Sequence, residues 1–157
     1  MPYLAQLLPL LFAPSHPMLQ LAGLPLYYEN PIGRLYEHPD GYVVVDYNAG
    51  QRQFSTFQAF LNHLENLLKR RGWNKMLANQ RLLTPFSPEE SHWIREQWLT
   101  VSHALQREML AAVLLPQDVF ARLSLSNLMQ GVQREGVLVY RVFNDAQQAA
   151  AWLHQTN

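Results

Sequence analysis

The sequence predicts a single α/β domain built on a mixed β-sheet. Three observations predict this fold: short β-branched and aromatic segments alternate with segments of helical periodicity, two such short segments come first, and one later segment is almost entirely apolar. A chain of 157 residues buries about two-thirds of its unfolded surface, which is enough for a core without a metal or a disulfide.

The first two strands are predicted between residues 34 and 48. The segments "RLYEH" and "GYVVVDYN" are rich in β-branched and aromatic side chains, and the tripeptide Pro39-Asp40-Gly41 separates them. Proline presets one dihedral angle of a turn and glycine accepts a positive one. We therefore expect the two segments to pair as a hairpin.

The first helix is predicted from about Ser55 to Arg71. Apolar side chains recur there at spacings of three and four, which places them on one helical face: Phe54, Phe57, Leu61, Leu64 and Leu68. The basic segment 69–71 complements the negative end of the helix dipole, and Gly72 can adopt the left-handed conformation that ends a helix. Helix termination therefore explains the only dense basic segment of the chain.

A buried strand is predicted at "KMLANQ", from Lys75 to Gln80, and a second helix from Pro88 to about Arg107. The inner stripe of that helix consists of Ile94, Trp98, Val101 and Leu105. The next segment, "MLAAVLLP", has no polar alternation. Such a composition is typical of a strand covered on both faces, which predicts that it lies in the centre of the sheet.

The remaining quarter of the chain is predicted as helix, strand and helix. The segment "QDVFARLSLSNLMQGVQREG" carries helical content in two pieces divided near Ser124, "VLVYRVF" is a strand, and "NDAQQAAAWLHQ" is a helix begun by Asn144. The resulting order, β-β-α-β-α-β-α-β-α, predicts a mixed sheet of five strands with four helices.

That order, from about Arg34 to His154, resembles the STAS superfamily, named for sulphate transporters and anti-sigma-factor antagonists. The segment "YRVFNDAQQAAAWL" is similar to the closing strand and helix of small bacterial stand-alone members, in which a Phe-x-Asp turn leads into a helix that ends in Ala-x-x-Trp-Leu. The corresponding residues here are Phe143, Asp145, Ala149, Trp152 and Leu153.

The resemblance implies a non-enzymatic domain that binds a partner protein. In some members a Ser or Thr at the start of the second helix is phosphorylated, within a motif of Asp-Ser, a small residue and Gly. The segment "RLLTPFSPEE" follows Asn79 and contains no glycine, so it departs from that motif. By position, Thr84 and Ser87 are the possible phosphoacceptors.

A structural interpretation of Ser87 competes with this one. Ser87 fits the N-cap of the second helix, Pro88 fits its first position, and Glu90 lies where it would close a capping box. Glu89 favours the positive end of the helix dipole. A phosphate on Ser87 would be repelled by both carboxylates.

Composition argues against several other functions. Twelve basic and twelve acidic side chains cancel, so the chain lacks the positive surface that a nucleic acid requires. There is no cysteine, and His92 and His103 would lie about 16 Å apart on one helix, too far to share a metal ion. No Gly-x-Ser-x-Gly or phosphate-binding glycine loop occurs. We therefore expect no catalytic residue, no metal site and no cofactor.

Residues 1–30 are predicted to form an apolar, proline-rich arm ahead of a domain at 31–157. The arm has no basic leader, and Pro9, Pro14 and Pro17 would interrupt any helix long enough to span a membrane. It is expected to lie over the domain or over a partner subunit. The absence of cysteine suits the reducing cytoplasm.

Three functions follow as hypotheses, and an enzyme with an unrecognised active site ranks third. The first is a cytoplasmic, non-enzymatic STAS-like domain that binds a protein partner and forms a homodimer. Apolar residues are the possible interface: Trp93, Phe86, Leu11 and Phe12. The alternative is a small-molecule or lipid carrier, because related α/β layers can open an apolar pocket.

Overall fold

The structure, a computed structural model, describes residues 21–156 and has a mixed α/β fold. The strands span Leu26–Asn30 (β1), Gly33–His38 (β2), Tyr42–Tyr47 (β3), Lys75–Asn79 (β4), Met109–Leu114 (β5) and Leu138–Phe143 (β6). The four helices of this part of the chain span Phe54–Arg71 (α1), Pro88–Leu105 (α2), Val119–Arg134 (α3) and Ala146–Gln155 (α4).

The sheet has six strands, where the sequence predicts five. The additional strand is β1, and its residues fall within the segment assigned to the N-terminal arm. It pairs antiparallel with β2, with a bulge between Leu26 and Tyr28. The bulge breaks the two-residue alternation that marks a strand in a sequence, and the flanking Pro25 and Pro31 favour irregular structure. These two features explain why the strand was missed.

The strands lie side by side in chain order, from β1 to β6. The pairs β1–β2 and β2–β3 are antiparallel, which confirms the predicted hairpin, and the other three pairs are parallel. Each parallel connection steps to the next strand in the same direction, so right-handed crossovers place α1, α2 and α3 on one face of the sheet. We call this the three-helix face. Helix α4 packs on the other one, the α4 face.

Strand β5 is covered on both faces, as its composition predicts, but it lies next to the edge strand β6 and not in the centre of the sheet. It pairs with β4 on one side and β6 on the other, and all six of its residues are buried. Met109, Ala111 and Val113 join the core under the three-helix face, whereas Ala112 and Leu114 join the core under α4. A strand between two apolar layers has no use for polar side chains, which explains the uniform sequence.

The helix boundaries confirm some predictions and correct others. Gly72 ends α1 in the left-handed conformation, with φ of 68°, as predicted. Helix α3 is one continuous helix and does not divide near Ser124, whose hydroxyl instead donates to the carbonyl oxygen of Phe86 at 3.4 Å. Asp145, not Asn144, is the N-cap of α4, and its carboxylate accepts from the N–H of Gln147 at 2.7 Å.

Candidate functional site

The carboxyl ends of β3, β4 and β5 lie along one end of the sheet, and the loops that follow them span residues 48–53, 80–87 and 115–118. In open sheets with parallel strands, this end is where loops carry binding residues. These loops and the first two turns of the helices that follow them carry a buried ion pair and a set of exposed apolar side chains. We therefore describe this end as the candidate site.

The buried ion pair joins Arg52, in the loop after β3, to Glu90, in the first turn of α2. The guanidinium binds the carboxylate through two bonds, Nε to Oε2 at 2.7 Å and Nη2 to Oε1 at 2.9 Å. The side chain of Arg52 is 6% exposed and that of Glu90 is 8% exposed. A two-bond pair at this depth fixes the relative position of the two elements.

The other donors of Arg52 bind the loop between β4 and α2. Its Nη1 donates to the hydroxyl of Thr84 at 2.9 Å and to the carbonyl oxygen of Thr84 at 3.2 Å, and its Nη2 donates to the carbonyl oxygen of Pro85 at 2.8 Å. The guanidinium also lies over the ring of Phe86, 5.1 Å from its centroid. We call Arg52, Glu90 and Thr84 the Arg52 clamp, because together they hold the 80–87 loop against α1 and α2.

The clamp sets the acidity of Glu90. Burial by itself raises the pKa of a carboxyl group. The hydrogen bonds from Arg52 and Ser87 and the positive charge of Arg52 together outweigh burial and lower the pKa of Glu90 below its ordinary value of 4.5. Glu90 is therefore held as a carboxylate, and its charge is matched by the buried guanidinium.

Ser87 has the structural role that its sequence context predicts. Its hydroxyl accepts from the N–H of Glu90 at 3.0 Å, and the carboxylate of Glu90 accepts from the N–H of Ser87 at 2.8 Å, which completes a capping box. Thr84 also uses its hydroxyl, which donates to the carbonyl oxygen of Gly50 at 3.1 Å. Ser87 is exposed and Thr84 is half-buried.

The exposed apolar side chains lie at the same end of the sheet, on α3 and on the 80–87 loop. Phe120 is 74% exposed, and three further residues are more than half exposed, namely Val119, Leu123 and Leu82. We call these four residues the apolar rim. The N–H of Gln117 donates to the carbonyl oxygen of Arg81 at 3.0 Å, so the two segments that carry the rim are bonded to each other.

The apolar rim did not emerge from the sequence, although a signal for it exists. The core residues of α3 follow a helical stripe: Ala121, Leu125, Leu128, Met129 and Val132. On a helical wheel Val119, Phe120 and Leu123 fall outside that stripe. Apolar side chains that lie off the core face of an amphipathic helix predict a surface patch, and this comparison would have found them.

The residues predicted as an interface have different surroundings. Phe86 is buried, and its ring lies 5.9 Å from that of Phe57. Trp93 is half-buried and meets the ring of Phe54 edge-on, with the ring centroids 6.3 Å apart. Leu11 and Phe12 fall outside residues 21–156, the part that the structure describes.

A row of polar side chains crosses the α4 face near the candidate site. Asn79 donates to the carboxylate of Asp46 at 2.9 Å, Arg34 lies 3.5 Å from the same carboxylate, and Glu29 binds Arg34 at 2.6 Å. Burial raises the pKa of Asp46, although the bond from Asn79 and the charge of Arg34 oppose the shift. The row connects β1, β2, β3 and β4 through side chains that bind one another.

The gap between α1 and α2 bears on the carrier hypothesis. It has an empty volume of about 200 Å³ but no space for a water molecule, and it is lined by apolar side chains that include Leu64, Ile94 and Trp98. The indole N–H of Trp98 has no hydrogen-bond partner among residues 21–156. A ligand could enter this gap only if the two helices moved apart.

Residues 21–156 also bear on metal binding and on membrane spanning. This part of the chain has no group of three or more His, Cys, Asp or Glu side chains that could hold a metal ion. His92 and His103 are both exposed on α2. None of the described helices has the length and apolar character needed to cross a membrane.

Comparisons with known proteins show the fold but not the family. No protein-family model matches the chain, and no curated protein matches it. Among solved structures, it resembles the NMR structure of the protein TM1081 with a TM-score of 0.57. The alignment covers 91% of this chain and 99% of that chain at 10% sequence identity. A likeness at this identity shows a shared α/β fold alone.

Proposed function

We propose that the chain is a non-enzymatic, STAS-like domain that works by binding a protein partner at the apolar rim. The observation that carries the proposal is that four of the six exposed large apolar side chains of residues 21–156 lie at one end of the fold, namely Phe120, Val119, Leu123 and Leu82. Single exposed apolar side chains are ordinary on protein surfaces, but a group of large ones is typical of an interaction site.

The composition of the rim suits a protein interface. It holds one aromatic and three aliphatic side chains, each more than half exposed. An aromatic residue surrounded by aliphatic ones matches the central anchors of known interfaces. The partner is therefore expected to offer an apolar groove that accepts the ring of Phe120.

The Arg52 clamp supports a scaffolding role for the charged residues of the site. Every N–H group of the Arg52 side chain is near an acceptor of the protein, and the carboxylate of Glu90 binds both Arg52 and Ser87. Groups that are bonded within the chain in this way hold the loops that carry the rim. We propose on this basis that binding, not bond making, is the work of this end of the sheet.

Phosphorylation at Thr84 or Ser87 stays a proposal that rests on the STAS resemblance. A phosphate on Thr84 would compete with Glu90 for Arg52, because the Thr84 hydroxyl lies 2.9 Å from the guanidinium. A phosphate on Ser87 would break the capping box. Phosphopeptide mapping of the protein from its host would test both residues, and finding neither modified under any growth condition would remove this part of the proposal.

Site-specific photo-cross-linking in the native host tests partner binding at the rim. A benzophenone amino acid in place of Phe120 should cross-link one dominant protein, and the same group in place of Gln130, which is exposed farther along α3, should not. Adding Leu123→Asp to the Phe120 probe should abolish that product. Equal products from both positions, or none from Phe120 in a folded protein, would contradict the proposal.

A further inference from the structure

The two edges of the sheet are built differently. At the β1 edge, Pro25 and Pro31 flank the strand and a bulge interrupts its pairing between Leu26 and Tyr28. Bulges and prolines are the means by which natural sheets prevent an edge from pairing with another chain. Strand β6, at the other edge, pairs with β5 through six consecutive residues without a bulge or a proline. The β6 edge therefore keeps the geometry that accepts a further strand.

The hydrogen bonds of β6 show which of its backbone groups face outward. The carbonyl oxygens of Val137 and Phe143 accept from Met109 and Leu115, at 2.8 and 3.2 Å, so the odd-numbered residues turn toward β5. In a parallel pair the backbone groups of alternate residues point to opposite sides. The N–H and C=O groups of Leu138, Tyr140 and Val142 therefore point away from β5, and no strand of residues 21–156 lies beyond them.

We propose that a second copy of the chain pairs antiparallel along β6, with Tyr140 facing the partner's Tyr140 on a twofold axis. This register brings Leu138 opposite the partner's Val142, and it satisfies the outward groups of all three even-numbered residues through six hydrogen bonds, the number expected from alternate antiparallel pairs. The product is a continuous sheet of two copies.

The side chains of β6 favour this register over the one centred on Arg141. Arg141 is the only charged residue of the strand. A register centred on Arg141 would place it against the partner's Arg141, and like charges directly opposite each other destabilise a sheet. In the Tyr140 register, Arg141 instead lies opposite the partner's Val139, whose surface its apolar stem can cover. Val142, which is 42% exposed in the single chain, gains an apolar neighbour.

The dimer is independent of partner binding at the rim, since none of the four rim residues belongs to β6. Sedimentation measures it directly: the full chain should sediment as a dimer, and Val142→Lys should shift it to monomer. Leu26→Lys is the matched control at the opposite edge, because Leu26 is also an exposed apolar strand residue. It should leave the dimer unchanged.

Cysteine pairs test the register, because the natural chain contains no cysteine. Residues 139 and 141 form a pair without mutual hydrogen bonds in the Tyr140 register, and such pairs have Cα atoms about 4.5 Å apart, within the range for a disulfide. The double variant Val139→Cys/Arg141→Cys should therefore oxidise to a covalent dimer. Neither single variant should, because each cysteine would lack a partner directly opposite.

Each outcome of the two experiments decides the proposal. A dimer that Val142→Lys weakens, together with a disulfide in the double variant only, supports it. A monomeric full chain would overturn the proposal. A dimer that Val142→Lys does not weaken and that the double cysteine variant does not cross-link would have its interface on another surface, which also overturns the proposal. A disulfide from Arg141→Cys alone would replace the register with one centred on Arg141.

Discussion

The Arg52 clamp and the apolar rim lie at the same end of the sheet and have opposite characters. The clamp consists of charged and polar groups that are buried and bound to one another, with Arg52 and Glu90 only 6% and 8% exposed. The rim consists of apolar groups that face solvent, with Phe120 74% exposed. Charged side chains are usually exposed and large apolar side chains are usually buried, so both regions reverse the ordinary placement of their residue types.

This difference indicates that the clamp residues stabilise the site, whereas the rim residues are available to bind a partner. A buried charge is stable only where its partners are fixed. The clamp therefore holds the loops in one position. An exposed apolar group gains free energy only when another surface covers it, so the rim contributes to binding. Substitutions in the clamp should therefore change folding, and substitutions in the rim should change binding.

The largest effect is expected for Arg52→Ala. The change leaves the carboxylate of Glu90 buried without a counter-charge and removes the bonds to Thr84 and Pro85, so the free energy of unfolding should fall by about 3–5 kcal/mol. Urea denaturation measures it. The control is Arg71→Ala, which removes an exposed pair with Glu37 and should cost less than about 1 kcal/mol. Equal losses of unfolding free energy for Arg52→Ala and Arg71→Ala would show that the clamp stabilises the fold no more than the Arg71–Glu37 pair does.

The pH dependence of stability should depend on Glu90. Its pKa is lower in the folded chain than the ordinary value of 4.5, so the unfolded chain binds this proton more readily. The stabilisation from the clamp is then complete above pH 4.5 and is lost as the pH falls through the lower folded pKa. Denaturation at several pH values should show a shallower acid loss for Glu90→Gln than for the wild type, while the exposed control Glu89→Gln should follow the wild type.

A smaller effect is expected at the capping box. Ser87→Ala removes the acceptor for the N–H of Glu90 and should lower the free energy of unfolding by about 1 kcal/mol. Ser87→Asp supplies another N-cap acceptor and should restore most of the loss. If Ser87→Asp were as unstable as Ser87→Ala, the cap would not explain the effect.

The smallest effect on stability is expected at the rim. Phe120→Ser and Leu123→Ser change side chains that face solvent, so each should alter the free energy of unfolding by no more than about 0.5 kcal/mol. Leu125→Ala, two residues from Leu123 but buried, should cost about 2–5 kcal/mol. A large loss at Phe120 would mean that its ring supports the fold.

Local features of the fold could be predicted from the sequence. The buried strand β5, the hairpin, the end of α1 at Gly72 and the capping box at Ser87 each depend on residues close together in the chain. Strand β1 could not, because its bulge and flanking prolines hide the alternation of a strand. Pairing with β2 decides its conformation.

The candidate site was harder to predict because its parts are distant in the chain. Arg52 and Glu90 are 38 residues apart, and only the parallel pairing of β3 with β4 brings their loops together. Neither residue stands out in the sequence: Arg52 follows a turn, and Glu90 is explained by the capping box alone. Helical periodicity identifies the core side of α3, whereas Val119, Phe120 and Leu123 lie outside that side, so the rim does not follow from the core pattern.

The most direct measurement is a calorimetric titration of the protein captured by the Phe120 probe against wild-type chain and the Phe120→Ser/Leu123→Ser variant. We expect the variant to bind at least about tenfold more weakly, since a central aromatic anchor contributes 2 kcal/mol or more, with its unfolding free energy almost unchanged. Equal affinity for the two chains would contradict binding at the rim.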